Sequence, residues 1–342
     1  MTTLPGEWAP QDGVLAAWPA DHTDWRSHLA EAEDCYADLI GAIARFEPVV
    51  LLVADETVEE RARSRLQASS HPIEFLQVPY DDTWVRDSGP ITVLRDSQPA
   101  WCDFRFDAWG GKFPHQQDDR LVGRLHGFSR FSHLPLQRFD YVLEGGAIES
   151  AGDGTILTTS GCLRARHPHR SLEELENLLR ESLGAVRVLW LDHGYLAGDD
   201  TDGHIDTLAR FADPETIVYQ ACDDPGDVHF GPLRLMAEQL GALCTPGDRS
   251  YRLVPLPLPG AKLDASGERL PAGYANFLIL NGAILMPTYA DQADESAAAA
   301  LATAFPDREV VGVDCRALIT QGGSLHCATM QLPAGSFGHK LR

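Results

Sequence analysis

An α/β fold built from repeated strand–strand–helix–strand modules is what this 342-residue sequence predicts, on three observations. Short apolar runs of strand length alternate with capped, helix-periodic segments along the whole chain. Asp153-Gly154 and Asn281-Gly282 each separate two such runs, and both dipeptides favour a type I′ hairpin turn. Chemistry-bearing residues recur at a steady interval: Asp87 to Glu144 is 57 residues and Glu144 to His204 is 60.

In chain order, PVVLLVAD at 48–55 reads as a buried strand, and ETVEERARSRL as the helix after it. IESA and TILTT flank the first hairpin turn. SLEELENLLRESLG at 171–184 opens with Ser171 and Glu174 in capping-box spacing and closes on Gly184, so it is a helix; VRVLWL at 186–191 is the next strand. YRLVPLPLPGAKLDASGERLPAGY at 251–274 reads as a strand (252–258) and an exposed loop, not a domain boundary. NFLIL and AILMPTY flank the second hairpin turn, ADESAAAALATAF at 293–305 is an Ala-rich helix, and EVVGVDC is a strand. Five modules of roughly 68 residues would fill the chain and bury their faces on one another. Quasi-periodicity common to all α/β proteins gives the same spacing. No linker or low-complexity segment divides the sequence, so residues 1–342 read as one catalytic domain.

Composition narrows the class. Hydrophobic content of 44% suits a globular protein, and no apolar run approaches the length of a membrane span. The N-terminus lacks a secretory signal, and seven scattered cysteines do not form a disulfide framework, so a reducing cytoplasm is expected. A net charge of −22, with only Lys112, Lys262 and Lys340 as lysines, argues against nucleic acid. The charge suits a cationic small molecule; it also suits mere solubility.

Two short motifs carry the chemistry. DGHID at 202–206 supplies His204 and Asp206, two apart and on one face if the segment is extended. QGGSLHC at 321–327 places Cys327 after a double glycine, where the backbone can turn sharply. His326 would point to the opposite face of an extended segment and is not the expected base. Together Cys327, His204 and a carboxylate form a kit for covalent catalysis. Asp87 in DTWVRDSGP and Glu144 in LEGGAI also stand beside glycines; in isolation Asp87 equally suits a turn cap. Three acids around one Cys and one His suit a guanidinium, whose planar fork pairs with carboxylates two at a time. Trp84 and Asp200 complete the candidate substrate-binding set. The acidic run 199–202 lacks EF-hand spacing, and no paired Cys or His spacing supports zinc, so no metal and no cofactor are expected.

DDTWVRDSGP, FDAWGGK at 106–112, LEGGAIESAGDGTILTT, TDGHIDTLARF, YANFLILNGAILMPTY and QGGSLHC together resemble the agmatine deiminases, with order and spacing kept from residue 7 to 333. Arginine deiminase and bacterial peptidylarginine deiminase share that superfamily. The resemblance implies a five-bladed, pseudo-symmetric α/β propeller around a central site. It implies Cys327 as nucleophile and His204 as acid/base, with Asp87 and Asp206 on the guanidinium and Glu144 touching both it and His204. It also implies a homodimer. The last motif departs from the commoner GGGNIHC at Gln321, Ser324 and Leu325, in the loop that shapes the pocket mouth. The expected reaction is hydrolysis of agmatine to N-carbamoylputrescine and ammonia through a Cys327 thiouronium, with Asp200 on the distal amine. A peptidylarginine or arginine deiminase, or a catalytically silent guanidine- or polyamine-binding protein, are the alternatives.

Overall fold

The computed structural model describes residues 1–338; Lys340 lies outside them. Among the described residues there are five small sheets, and four follow one path: an antiparallel hairpin, a helical connection, and a further strand parallel to the second. Ile91–Arg95 and Gln98–Arg105 are followed by Leu136–Val142, with Thr2–Thr3 added at the edge. Ile148–Ser150 and Thr155–Thr159 are followed by Arg187–Leu191. Ala209–Asp213 and Thr216–Gln220 are followed by Arg252–Leu256. Leu278–Ile279 and Ala283–Thr288 are followed by Glu309–Asp314. The fifth sheet joins distant parts of the chain. Thr329–Pro333 pairs antiparallel with Gln11–Ala17, Thr329 opposite Ala16, and Val49–Val53 and Ile73–Gln77 extend it in parallel.

The central strands are buried on both faces, which explains their unbroken apolar runs. Val49–Val53 is buried throughout, and the largest core packs it and Ala283–Thr288 against helices Leu29–Ile43 and Ala293–Ala304. Local chemistry sets the helix ends. The Asp55 carboxylate caps Glu56–Arg65 by accepting from the Val58 amide at 2.9 Å. Ser171 and Glu174 form the expected reciprocal capping box on Leu172–Leu183, and Gly184 ends that helix at φ 74°. The strand beginning at Arg252 stops at Leu256, two residues before its expected end.

Both hairpins form, but neither turn is type I′. A type I′ turn needs positive φ at both central residues. At the first, Gly152 (76°) and Gly154 (92°) are left-handed while Asp153 is not; its carboxylate instead accepts from the Thr155 amide at 2.9 Å. At the second, neither Asn281 nor Gly282 has positive φ. Asn281 is held across the fifth sheet, its amide side chain exchanging 3.0 Å hydrogen bonds with the Gln11 backbone. Among the described residues no helix is long and apolar enough to cross a membrane.

Candidate active site

In each module the functional side chain comes from the few residues that lead into the first strand of the hairpin. The short helix Val85–Ser88 supplies Asp87 before Ile91, and Glu144 precedes the 3-10 turn Gly145–Ala147 and the strand at Ile148. His204 and Asp206 precede Ala209, Asn276 precedes Leu278, and Cys327 precedes Thr329. Five lead-ins therefore deliver five sets of polar groups, and they meet.

Gly146 marks the meeting point. A Cβ there would lie 2.5 Å from His204 Nδ1, 2.8 Å from Asp87 Oδ1 and 3.1 Å from Asp206 Oδ2, so only glycine fits. Its amide donates to Asp87 Oδ1 at 2.9 Å, and the Trp109 indole donates to Asp87 Oδ2 at 3.0 Å. His204 Nδ1 lies 3.7 Å from Asp87 Oδ2. Cys327 Sγ lies 3.8 Å from Asp206 Oδ2 and 3.4 Å from Asn276 Oδ1. Glu144 is held by the Arg166 Nε at 2.5 Å, while Arg166 also reaches Asp202 (2.5 Å) and the Thr201 carbonyl (2.9 Å). All of the five expected catalytic residues are buried. Yet Glu144 Oε2, Asp206 Oδ1 and both His204 ring nitrogens have no hydrogen-bond partner. Buried polar atoms without partners are costly, and here donor atoms of Glu144 and His204 lie within 4.8 Å of each other.

The route to this geometry differs from the expected one at DGHID. The segment is not extended: Asp202 (φ 65°) and Gly203 (φ 84°) turn it left-handed, and Ile205–Thr207 closes a 3-10 turn. Asp199 braces that turn by accepting from the Thr201 and Gly203 amides at 3.1 and 2.9 Å. His204 and Asp206 reach the site from opposite ends of a tight turn, not from one face of a strand. The Cys327 loop is likewise a turn, with the Ala328 amide donating to Ser324 O at 3.1 Å and Gly322 at φ 82°. Leu325, one of the departures in that motif, is fully buried, and Gln321 lines the mouth.

Burial, with Asp206 and Asp87 nearby, pushes the Cys327 thiol well above its ordinary range. Burial would depress His204, but Asp87, Cys162 and Glu144 outweigh it and hold the imidazole in its cationic form. Asp206 is also resisted by burial, yet the His326 hydrogen bond and the nearby His204 and Arg210 keep it below the usual carboxylate range. Glu144 is raised by burial, which His204 and Arg166 only partly offset. These shifts favour a neutral thiol beside a cationic imidazole.

Trp84 and Asp200 stand slightly apart from the cluster. They line a cavity of about 400 Å³ with Trp109, Gly322 and the acids Asp24, Asp82, Asp264 and Glu268. Arg269 is the one cationic lining residue, and Asp227 already holds it at 2.7 Å. Lys112 is drawn to Asp202 and to the Asp200 carbonyl, so the Asp200 carboxylate itself stays at the cavity. Burial and Asp199 raise Asp200, and burial raises Asp82 to about 7.

Sequence reasoning missed Asn276, which accepts from the His326 and Cys327 amides at 3.0 and 3.3 Å and orients the thiol. Its signal was its place in the modular spacing, just ahead of a hairpin. Reasoning also missed the cluster behind the site. His326 Nδ1 meets Asp206 Oδ2 at 2.7 Å, and its Nε2 meets Glu7 at 3.0 Å. Arg210 bonds Glu7 at 2.5 Å, Glu149, and the Phe277 carbonyl at 2.7 Å, with Phe277's ring 4.7 Å from its guanidinium. Among the described residues two groups of side chains have donor atoms close enough to share a metal ion: Glu7, Glu149 and His326, and Glu144, Cys162 and His204. In the first, Arg210 already supplies the cation.

The sequence model described as Porphyromonas-type peptidyl-arginine deiminase matches residues 3–333. The agmatine deiminase of Pseudomonas putida is 35% identical over 97% of this chain and 95% of its own. A solved structure of a putative arginine deiminase from Porphyromonas gingivalis is 45% identical, with TM-score 0.90 and 98% and 99% of the two chains covered. A Cys-to-Ser variant of the C. jejuni agmatine deiminase, solved with substrate bound, is 33% identical, with TM-score 0.90 and coverage of 97% and 96%.

Proposed function

Since the chain belongs to the Porphyromonas-type peptidyl-arginine deiminase family, we propose that it is an agmatine deiminase, hydrolysing agmatine to N-carbamoylputrescine and ammonia. The observation that carries this reading is the convergence of Asp87, Asp206 and the His204 imidazole on Gly146, with the Cys327 thiol 3.8 Å from Asp206, a Glu144 oxygen within 4.8 Å of a His204 nitrogen, and acceptor atoms of Glu144 and Asp206 left unpartnered. A guanidinium supplies the donors they lack. The acidic cavity beyond suits the distal ammonium, and its one guanidinium is occupied by Asp227. A free α-carboxylate would find no unpaired cation there among the lining residues.

Asp87 and Asp206 hold the guanidinium fork and fix its carbon near Cys327, saving the entropy of a bimolecular encounter. The arriving cation offsets the acids that suppress the thiolate, so Cys327 gives up its proton to solvent when substrate binds. The thiolate attacks the guanidinium carbon. His204, as imidazolium, protonates a terminal nitrogen, which leaves as ammonia, and a thiouronium on Cys327 remains. Neutral His204 then takes a proton from water; the hydroxide adds to the same carbon, and collapse releases the urea as the hydroxyl proton passes to the departing sulfur, restoring the Cys327 thiol and the imidazolium. Glu144 favours the cationic His204, and Trp84 walls the path of the alkyl chain.

The five sheets serve as the blades of a five-bladed propeller, with the hairpin lead-ins turned to a common axis, in one catalytic domain spanning residues 1–342. The enzyme works in the cytoplasm, as a homodimer, without metal or cofactor. Ammonia release from agmatine, arginine and a blocked arginyl peptide tests the reading. Agmatine should be turned over with the highest kcat/KM. Preference for the peptide or for arginine would replace agmatine deiminase by the corresponding relative, and no ammonia from any would leave a guanidine-binding protein.

A further inference from the structure

Cys162 forms no bond to substrate in the reaction above and acts there only through the charge state of His204, yet its thiol lies inside the site. It belongs to the helix Ser160–Arg166, whose N-cap Thr159 accepts from the Cys162 amide at 3.3 Å and donates to the Gly203 carbonyl at 2.7 Å. That hydroxyl ties the Cys162 helix directly to the loop of His204. The donor atoms of Glu144, Cys162 and His204 lie within 4.8 Å of one another, and all three residues are buried. Glu144 and His204 are each 0% exposed, while Glu144 Oε2 and both His204 nitrogens have no hydrogen-bond partner.

We propose that Glu144, Cys162 and His204 form an inhibitory site for zinc, which competes with the cationic substrate for the same carboxylate and imidazole. The inhibition rests on the catalytic reading above; the binding does not. One thiolate, one imidazole and one carboxylate are donors that suit zinc, whereas calcium and magnesium favour sets of oxygen ligands. Donors at zinc distances from a shared ion stand about 3.3–3.8 Å apart, so a side-chain adjustment of about 1 Å would close the set. The charge also fits. Zinc, a Cys162 thiolate and Glu144 sum to zero, and Arg166 on the far Glu144 oxygen is balanced by Asp202 at 2.5 Å. Binding breaks the Cys162 S–H bond, forms the zinc–sulfur bond and releases one proton. Water takes the fourth position. With its lone pair on the metal, His204 can no longer exchange protons with substrate.

Cobalt(II) is the probe, because a thiolate ligand gives it a charge-transfer absorption that needs no turnover to be seen. Added to purified enzyme, it should produce that band in wild type and in Cys327→Ser, and not in Cys162→Ala. In steady state, zinc should inhibit competitively with substrate and be reversed by chelator, and Cys162→Ala should raise its inhibition constant at least ~100-fold. Should Cys162→Ala fold poorly, zinc protection of Cys162 against alkylation in wild type, read by mass spectrometry, replaces it. A band that survives Cys162→Ala and vanishes in Cys327→Ser would overturn the proposal, as would no band in wild type or no protection of Cys162. A cobalt band in a protein that turns over no guanidine would sustain the site and sink only the catalytic reading.

Discussion

The molecule contains two acidic clusters of similar make, a few ångströms apart through Asp206 and His326, and they differ in one component. Behind the site, Glu7 and Glu149 close on Arg210, whose remaining donors reach the Ala275 and Phe277 carbonyls and whose face lies over the Phe277 ring. At the site, Asp87 and Asp206 meet His204 around Gly146 with Glu144 beside the imidazole, and oxygens of Glu144 and Asp206 are left without partners. The first cluster carries its own guanidinium groups, Arg210 and, on Glu7 at 3.1 Å, Arg86; the second leaves oxygens of Glu144 and Asp206 without a donor. Arg166 bonds only one oxygen of Glu144 and directs the rest of its donors to the Asp202 loop. A built-in cation makes a fixed part of the fold, and an unfilled cluster makes a binding site at some cost in stability.

Glu144→Gln should separate the two sharply. Glutamine keeps an acceptor for Arg166 and puts an amide where Oε2 has no partner. It removes the charge that favours the imidazolium and meets the guanidinium, so kcat/KM for agmatine should fall about 10²- to 10⁴-fold. Stability should not fall. The Glu144 carboxyl is raised in the folded state, so its ionisation opposes folding: its contribution is fully favourable below the unfolded pKa and declines as pH rises. Denaturant midpoints should therefore show the Gln variant gaining on wild type from about pH 4 upward. A variant less stable than wild type at pH 8 would mean that the charge holds the fold together.

Arg210→Met should do the opposite. It takes from Glu149 its cation and from Glu7 one of its two arginines, Arg86 remaining at 3.1 Å, and should cost about 3–5 kcal/mol, the range for removing one partner of a buried ion pair. Urea denaturation reads this directly. A loss below about 1 kcal/mol would dissolve the distinction between the two clusters.

Asp200→Asn is the mildest probe. A charge-assisted hydrogen bond to the distal amine is worth roughly 1.5–3 kcal/mol, so kcat/KM for agmatine should drop about 10- to 150-fold. A simple alkylguanidine, with no amine to lose, should be much less affected. Equal losses on both substrates would assign Asp200 to the shape of the His204 turn.

Much of this was legible in the sequence, for identifiable reasons. The capping box at Ser171, the apolar runs and the Ala-rich helix are local signals, and the structure keeps them with ends shifted by a residue or two. Asp87, Glu144, His204, Asp206 and Cys327 stood out as titratable groups beside glycines at modular spacing. Asn276 shares their position but does not titrate, and so gave no chemical signal. Glu7, Arg210 and His326 come from three distant segments, and only the pairing of Thr329–Pro333 with Gln11–Ala17 brings the two ends of the chain together behind the site. The type I′ turns failed because side-chain hydrogen bonds of Asp153 and Asn281 outweighed the dipeptide preference.

The central claim is that Cys327 attacks a guanidinium held in the unfilled cluster, and the covalent intermediate tests it most directly. Enzyme quenched in acid during agmatine turnover and digested for mass spectrometry should carry an N-(4-aminobutyl)amidino group on the Cys327 peptide, and Cys327→Ser should lose at least about 10⁴-fold in kcat. The same adduct on Cys162 or any other cysteine, or a Cys327→Ser enzyme with more than a trace of wild-type turnover, would contradict the account.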